Sequence, residues 1–86
     1  MPAVSRFRGV VVTINFDDHP LPHFHARYGA AKASIRIDPP SLIDGWLPPR
    51  QLRDVTDWAA THLDALLAAW ALAEDSQDPG LIPPLA

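Results

Sequence analysis

The sequence contains no cysteine, so neither a disulfide bond nor a cysteine-ligated metal can hold this 86-residue chain together. Its longest apolar run, residues 65–73, is about half of the ~20 residues that a membrane-spanning helix needs. The segment from Met1 to Arg6 lacks the apolar stretch of a secretory signal peptide. We therefore expect a cytoplasmic protein without membrane association, and the length predicts a single domain over residues 1–86.

Basic residues are absent from the last part of the chain. All seven lysines and arginines lie in the first 53 residues with four carboxylates, whereas six carboxylates and no base follow. The formal charge is therefore +3 for the first part and −6 for the second. The net charge of −3 gives no support to nucleic-acid binding, but a local basic surface remains compatible with it, because steering depends on the local field.

Two segments near the start carry strand patterns. Residues 9–16 are rich in β-branched and aromatic side chains, which predicts a strand there. Residues 23–28 and 32–37 each alternate polar with apolar residues, and Gly29-Ala30 between them suits a two-residue turn with glycine first. These features predict a β-hairpin over about residues 22–38.

One register satisfies both strands of this hairpin. If Tyr28 faces Ala31, the pairs that follow are Arg27 with Lys32, His25 with Ser34, His23 with Arg36, Ala26 with Ala33, and Phe24 with Ile35. Polar side chains then share one face and apolar side chains the other, and a slip of one residue would turn polar groups inward.

The second half of the chain predicts a helix. Apolar residues recur at a spacing of three to four from about residue 49 to residue 74, and Asp78-Pro79-Gly80 ends the pattern before an extended tail over 78–86. A short strand over 42–47 would precede this helix. The predicted fold class is α+β: a small, three- to four-stranded, mainly antiparallel sheet with one long C-terminal helix packed on one face.

The last half of the predicted helix is apolar nearly all round, although a lone covering helix needs a single apolar stripe. The surplus around Ala65, Ala69 and Leu72 indicates an interface with another chain, either a second copy or a different protein. The alternative is that the C-terminal tail folds back over this surface.

Three histidines form the most informative cluster: His19 in a proline-containing loop, with His23 and His25 on one face of a strand. One interpretation is a zinc site formed by these three residues. The basic neighbours Arg27, Lys32 and Arg36 count against it, because they would repel a dication. Without a metal, no cofactor is expected.

A second interpretation is acid–base chemistry on a phosphodiester. His23 and His25 would divide the roles of base and acid, and His19 would support them from the loop. The phosphate would be bound by the remaining polar residues of the same hairpin face, which are Arg27, Lys32, Ser34 and Arg36.

A third interpretation involves no chemistry. Histidines near prolines often hydrogen-bond to loop backbone, and basic residues on an open sheet face are often only solvated. The same face is also compatible with a contact surface for a protein or a nucleic acid.

Several motifs together resemble a known family. They are Val4-Ser5-Arg6-Phe7 with Gly9, the segment Asp18-His19-Pro20-Leu21-Pro22-His23-Phe24-His25-Ala26, and Leu47-Pro48-Pro49-Arg50 with Trp58 and Trp70. They are similar to a family of short bacterial proteins catalogued as a domain of unknown function, with a Pro-Pro-His-Phe-His hallmark. Leu21 stands here where the first proline of that hallmark is expected.

The resemblance implies a biological context. Members of that family are typically encoded beside a second small protein, in the manner of a toxin–antitoxin pair. It implies that this chain is the toxin-like component with a small antitoxin-like partner, and we combine it with the histidine pair into the hypothesis of a metal-independent endoribonuclease. The alternative is a non-catalytic module that binds nucleic acid or protein, such as a transcriptional regulator of its own operon.

Overall fold

A computed structural model describes residues 3–14 and 21–85 of the chain. Five strands form one antiparallel sheet in which every strand lies next to its neighbour in sequence. The strands are β1 (Ala3–Phe7), β2 (Val10–Thr13), β3 (His23–Tyr28), β4 (Ala31–Arg36) and β5 (Ser41–Gly45). The prediction of three or four strands was therefore wrong. The strand expected over about 9–16 corresponds to β2, and residues 15 and 16 lie outside the described part.

The predicted register of the central hairpin is confirmed. β3 pairs with β4 so that His23 faces Arg36, His25 faces Ser34 and Arg27 faces Lys32. Gly29 has a φ of 58°, which places the glycine at the first turn position as expected. The register holds because each strand buries its alternate residues, so a slip would bury charge.

Two helices follow the sheet where one long helix was predicted: α1 (Pro49–Thr61) and α2 (Leu63–Glu74). They meet at His62, whose φ and ψ are −120° and 30°. The hydroxyl of Thr61 donates to the carbonyl oxygen of Trp58 at 2.9 Å, and Nδ1 of His62 lies 2.9 Å from the same oxygen. Side chains that compete for a backbone carbonyl weaken the regular helix, which explains a break that apolar periodicity does not reveal.

The core lies between one face of the sheet and the helices. Trp58 of α1 is fully buried at the centre of this core. Its ring centroid lies 5.2 Å from that of Phe7 and 5.8 Å from that of Phe24. Val12 of β2 and Ile35 of β4 are also fully buried. Because successive side chains of a strand point to opposite faces, the alternate residues of the same strands form the other face of the sheet.

The C-terminal tail runs beside β1. The amide of Ile82 donates to the carbonyl oxygen of Val4 at 2.7 Å, and the indole Nε1 of Trp58 donates to the carbonyl oxygen of Pro83 at 2.8 Å. Leu85 packs against the core as well. The tail therefore covers the outer edge of β1 instead of the surplus apolar surface of the second helix.

Neither helix within the described residues is long and apolar enough to cross a membrane.

Candidate functional site

The sheet face directed away from Trp58 forms a concavity of about 690 Å³. Side chains from all five strands line it, and eight of them define what we call the open sheet face: Arg6, Val11, Thr13, His25, Arg27, Lys32, Ser34 and Asp44. The face holds three cations and one carboxylate, so its formal charge is +2 with a neutral histidine. A polar, basic surface of this kind is suited to an anionic ligand.

Three cations of this face lie in one line across the strands. Arg6 faces Val11, Val11 faces Arg27, and Arg27 faces Lys32 in the strand pairing. Arg6, Arg27 and Lys32, which we call the cationic row, are all exposed. Neighbouring strands lie about 4.8 Å apart, so three spacings place the backbone positions of Arg6 and Lys32 about 14 Å apart. This length suits an extended ligand with several negative charges.

A second line of polar residues lies beside the cationic row. Thr13 faces His25, His25 faces Ser34, and Ser34 faces Asp44. We call these four residues the polar row. Nδ1 of His25 and Oγ of Ser34 are 3.4 Å apart, which is a long hydrogen bond. The row combines a half-buried imidazole, whose Nε2 is buried, with hydroxyl groups and a carboxylate that line the same concavity.

His23 occupies a different environment from His25, although both lie on β3. It is 1% exposed, and its Nδ1 lies 2.8 Å from the carbonyl oxygen of Leu21, to which it can donate. Its ring centroid is 5.1 Å from that of Trp70 on α2 and 5.1 Å from that of His25. The bond to loop backbone is what the non-chemical interpretation predicts for a histidine near prolines. His23 is therefore a buried residue bonded to backbone, whereas His25 lines the concavity.

The other predicted site residues do not all lie at the concavity. Arg27, Lys32 and Ser34 line the concavity, whereas Arg36 lies opposite His23, is half-buried and does not line it. His19 lies outside the described residues. Of the two histidines that were predicted to act as a pair on the ligand, His25 lines the concavity and His23 is buried.

Sequence reasoning missed Arg6, Thr13 and Asp44 of the open sheet face. Arg6 belongs to β1, which was not predicted, whereas Thr13 and Asp44 lie in predicted strands whose pairing with the central hairpin was not predicted. The signal for Arg6 was present, because Arg6 alternates with Phe7 and the Arg8-Gly9 turn follows. That turn has positive φ at both residues, 48° and 81°, as a type I′ hairpin turn requires.

The second helix is acidic and the first is not. The second helix and the turn after it carry exposed acids at Asp64, Glu74 and Asp75 and no basic residue. The first helix carries exposed Arg50 and Arg53 beside its two acids. The acidic surface of the second helix is therefore less suited to an anionic ligand than the cationic row is.

Metal binding gains no further support from the described residues. Residues 3–14 and 21–85 hold no group of three or more histidine, cysteine, aspartate or glutamate side chains close enough to bind a metal. The zinc alternative needs His19, which lies outside these residues, together with His23 and His25. It stays a prediction.

The predicted partner interface on the second helix is only partly exposed. Ala69 is 2% exposed and belongs to the core, whereas Leu72 is 37% exposed and Ala65 is exposed. Leu67 adds another exposed apolar side chain at 36%. Ala65 and Leu72 lie on one side of the helix and could contact a partner together, whereas Leu67 lies about 140° round the helix from Leu72.

Comparison with known proteins defines the class of this chain. The model of a family described as a domain of unknown function, DUF4160, matches residues 9–71, a range that includes the central hairpin and the first helix. The chain therefore belongs to the DUF4160 family. No curated protein and no solved structure matches it. The predicted membership of a domain-of-unknown-function family is thus confirmed, while the proline–histidine hallmark and the gene neighbourhood stay predictions.

Proposed function

We propose that the open sheet face binds the sugar–phosphate backbone of single-stranded RNA. The observation that carries this proposal is the cationic row, in which Arg6, Arg27 and Lys32 lie in line across four strands on one accessible face. Phosphate contacts supply most of the affinity in non-specific nucleic-acid binding. The uninterrupted spacing of the strands lets three cations contact one backbone.

The shape of the basic surface favours a single strand over a duplex. Proteins read duplex DNA by inserting a helix or a ribbon into the major groove. Here the basic surface is a concave sheet, and the helices carry exposed acids such as Asp57 and Asp64. A flexible single strand can follow a concave sheet, as it does in other sheet-based RNA-binding modules.

The biological role that we propose is the toxin-like component of a two-protein bacterial system, acting on RNA. Its support is the resemblance described above, together with the exposed apolar side chains of Ala65 and Leu72 on one side of α2, which a small antitoxin-like protein would cover. An alternative role is regulation of its own operon, which the same basic face would serve by binding nucleic acid without cleavage.

Cleavage of RNA is the second candidate function, and one contact favours it. His25 lies 3.4 Å from Ser34 and two positions from Arg27 on the same strand, so a proton-transferring ring lies beside a phosphate-binding cation. In such a reaction Nδ1 of His25 would accept the proton of the ribose 2′-hydroxyl as that oxygen attacks the phosphorus. The bond from phosphorus to the 5′-oxygen would break, the 5′-oxygen would take a proton from water, and a 2′,3′-cyclic phosphate would remain. Because His23 is 1% exposed, it does not reach a ligand in the concavity as a second catalytic group.

The binding proposal is tested by the salt dependence of affinity for a short, labelled single-stranded RNA, measured by fluorescence anisotropy. Three phosphate contacts give a slope of log affinity against log salt of about −2, or a ~20-fold loss between about 50 and 200 mM salt. Arg27→Gln or Lys32→Gln lowers the slope to about −1.4 and the loss to ~7-fold.

Arg53→Gln is the matched control, because Arg53 is exposed on α1, the helix on the other face of the sheet. It removes the same charge without touching the open sheet face, so the slope is expected to stay near −2. Equal slopes in all three variants, or no binding at about 50 mM salt, would refute the proposal.

Cleavage and toxicity are tested separately with His25→Ala and His23→Ala. Each variant is expressed in a bacterial host, and growth and total RNA are followed at short times. Loss of RNA cleavage in His25→Ala with retained RNA binding supports an endoribonuclease. Intact RNA with growth arrest that depends on Arg27 supports a binding function without cleavage.

A further inference from the structure

Trp46 is exposed to an extent that is unusual for a tryptophan in a small domain. It is 61% exposed, whereas Trp58 and Trp70 are 0% and 6% exposed. A buried indole contributes more apolar surface to folding than almost any other side chain, so its exposure forgoes that stabilisation. Folding of the described part of the chain therefore does not explain the residue at this position.

The backbone fixes Trp46 beside the cationic row. Its amide donates to the carbonyl oxygen of Lys32 at 2.8 Å, which extends the pairing of the last two strands by one residue. Gly45, which lines the concavity, precedes it with a φ of 82°. A Cβ at Gly45 would clash with the carbonyl oxygen of Lys32, so only glycine allows this close approach. Trp46 therefore lies at the Lys32 end of the cationic row.

We propose that Trp46 stacks on an unpaired base of the RNA strand whose phosphates contact the cationic row. The inference rests on the proposed function and names its ligand more closely: a strand with at least one unstacked base at the Lys32 end. Surfaces that bind single strands combine cations along the backbone with aromatic rings against the bases, and this combination is present here. Stacking tolerates any base, so the site would show little sequence preference.

Leu42, on the edge strand β5 that Trp46 follows, provides the competing explanation. It is 43% exposed, and together with Trp46 it would suit a protein partner through apolar contact. The two explanations differ in their dependence on charge and on bases. RNA stacking requires Trp46 and the cationic row together, whereas a protein contact requires Trp46 and Leu42 together.

The experiment compares two ligands of equal charge, a single-stranded RNA and a strand of the same length without bases. Wild-type protein is expected to bind the RNA more tightly and to show quenching of indole fluorescence with the RNA alone. Trp46→Ala is expected to weaken RNA binding by about 5- to 160-fold, the range measured for one stacked base, and to leave the abasic strand unaffected. Trp46→Phe should recover part of the loss.

Leu42→Ala is the matched control, since it removes an exposed apolar side chain from the same strand and is expected to leave RNA affinity unchanged. Urea unfolding of each variant verifies that the fold is retained. Equal affinity of the wild type for both ligands, unchanged in Trp46→Ala, overturns stacking but keeps backbone binding. Parallel losses in Trp46→Ala and Leu42→Ala overturn stacking in favour of a shared apolar contact. Absence of binding to either ligand overturns both proposals.

Discussion

Gly45 supports a sharp test of how the sheet is built at the edge of the candidate site. In Gly45→Ala, the new Cβ would meet the carbonyl oxygen of Lys32 and lie 3.0 Å from the Cα of Ala33. Backbone atoms of a paired strand cannot move aside as a flexible side chain would. The residue also keeps a φ of 82°, in the left-handed region that alanine adopts at a cost of about 1–2 kcal/mol.

Gly29→Ala is the matched control, because it isolates the conformational cost. Gly29 also has a positive φ, 58°, but no described atom lies within 4 Å of the point that an alanine methyl would occupy. It should lose about 1–2 kcal/mol of unfolding free energy from the backbone alone. Gly45→Ala adds about 1–3 kcal/mol for overpacking, for a total of about 2–5 kcal/mol. The whole chain is expected to have only about 4–13 kcal/mol.

Urea unfolding measures both variants, with equal m-values required so that the midpoints can be compared. The difference between them corresponds to at least about 4 °C in Tm for a domain of this size. Equal losses in Gly45→Ala and Gly29→Ala would refute the close approach of β5 to β4. If Gly45→Ala is folded at the assay temperature, its RNA affinity should fall as in Trp46→Ala, because the strand that positions Trp46 is displaced.

Two further predictions concern the core and the surface. Trp58→Phe removes the indole hydrogen bond to Pro83 and part of a fully buried ring, so it should lower the unfolding free energy by about 2–3 kcal/mol. If the same substitution costs less in a chain truncated after residue 80, the difference between the two losses is the part due to the tail. Asp54→Asn removes an ion pair to Arg8, which has an N–O distance of 3.4 Å and a 54% exposed arginine, so it should cost less than about 1 kcal/mol; a larger loss that persists at high salt would contradict this estimate.

The central hairpin could be predicted in detail because its information is local. Both strands alternate polar and apolar residues, and a glycine stands at the turn position that requires positive φ. The register then follows from Tyr28 and Ala31, which face each other in the structure. The sequence patterns of β1 and β5 are weaker, with a bulge in the pairing of each, so their places in the sheet depend on tertiary contacts.

The helix break and the burial of His23 could not be predicted for a different reason. Apolar spacing continues through Thr61 and His62, so periodicity indicates one helix, and the break depends on side chains that bond to the carbonyl oxygen of Trp58. His23 and His25 have equal status in a strand pattern. The packing of Trp70 against His23 distinguishes them in the structure, and that contact joins residues 47 positions apart.

Binding and cleavage make different demands on the open sheet face. His25 and Arg27 are two residues apart on one strand, so the polar row lies about 7 Å from the cationic row. A backbone laid along the cationic row contacts Arg6, Arg27 and Lys32 without bringing a phosphodiester onto His25. Cleavage requires in addition that the strand pass from Arg27 across to Ser34. The cationic row alone therefore supports the binding proposal, and an RNA that stays intact on this protein would not weaken it.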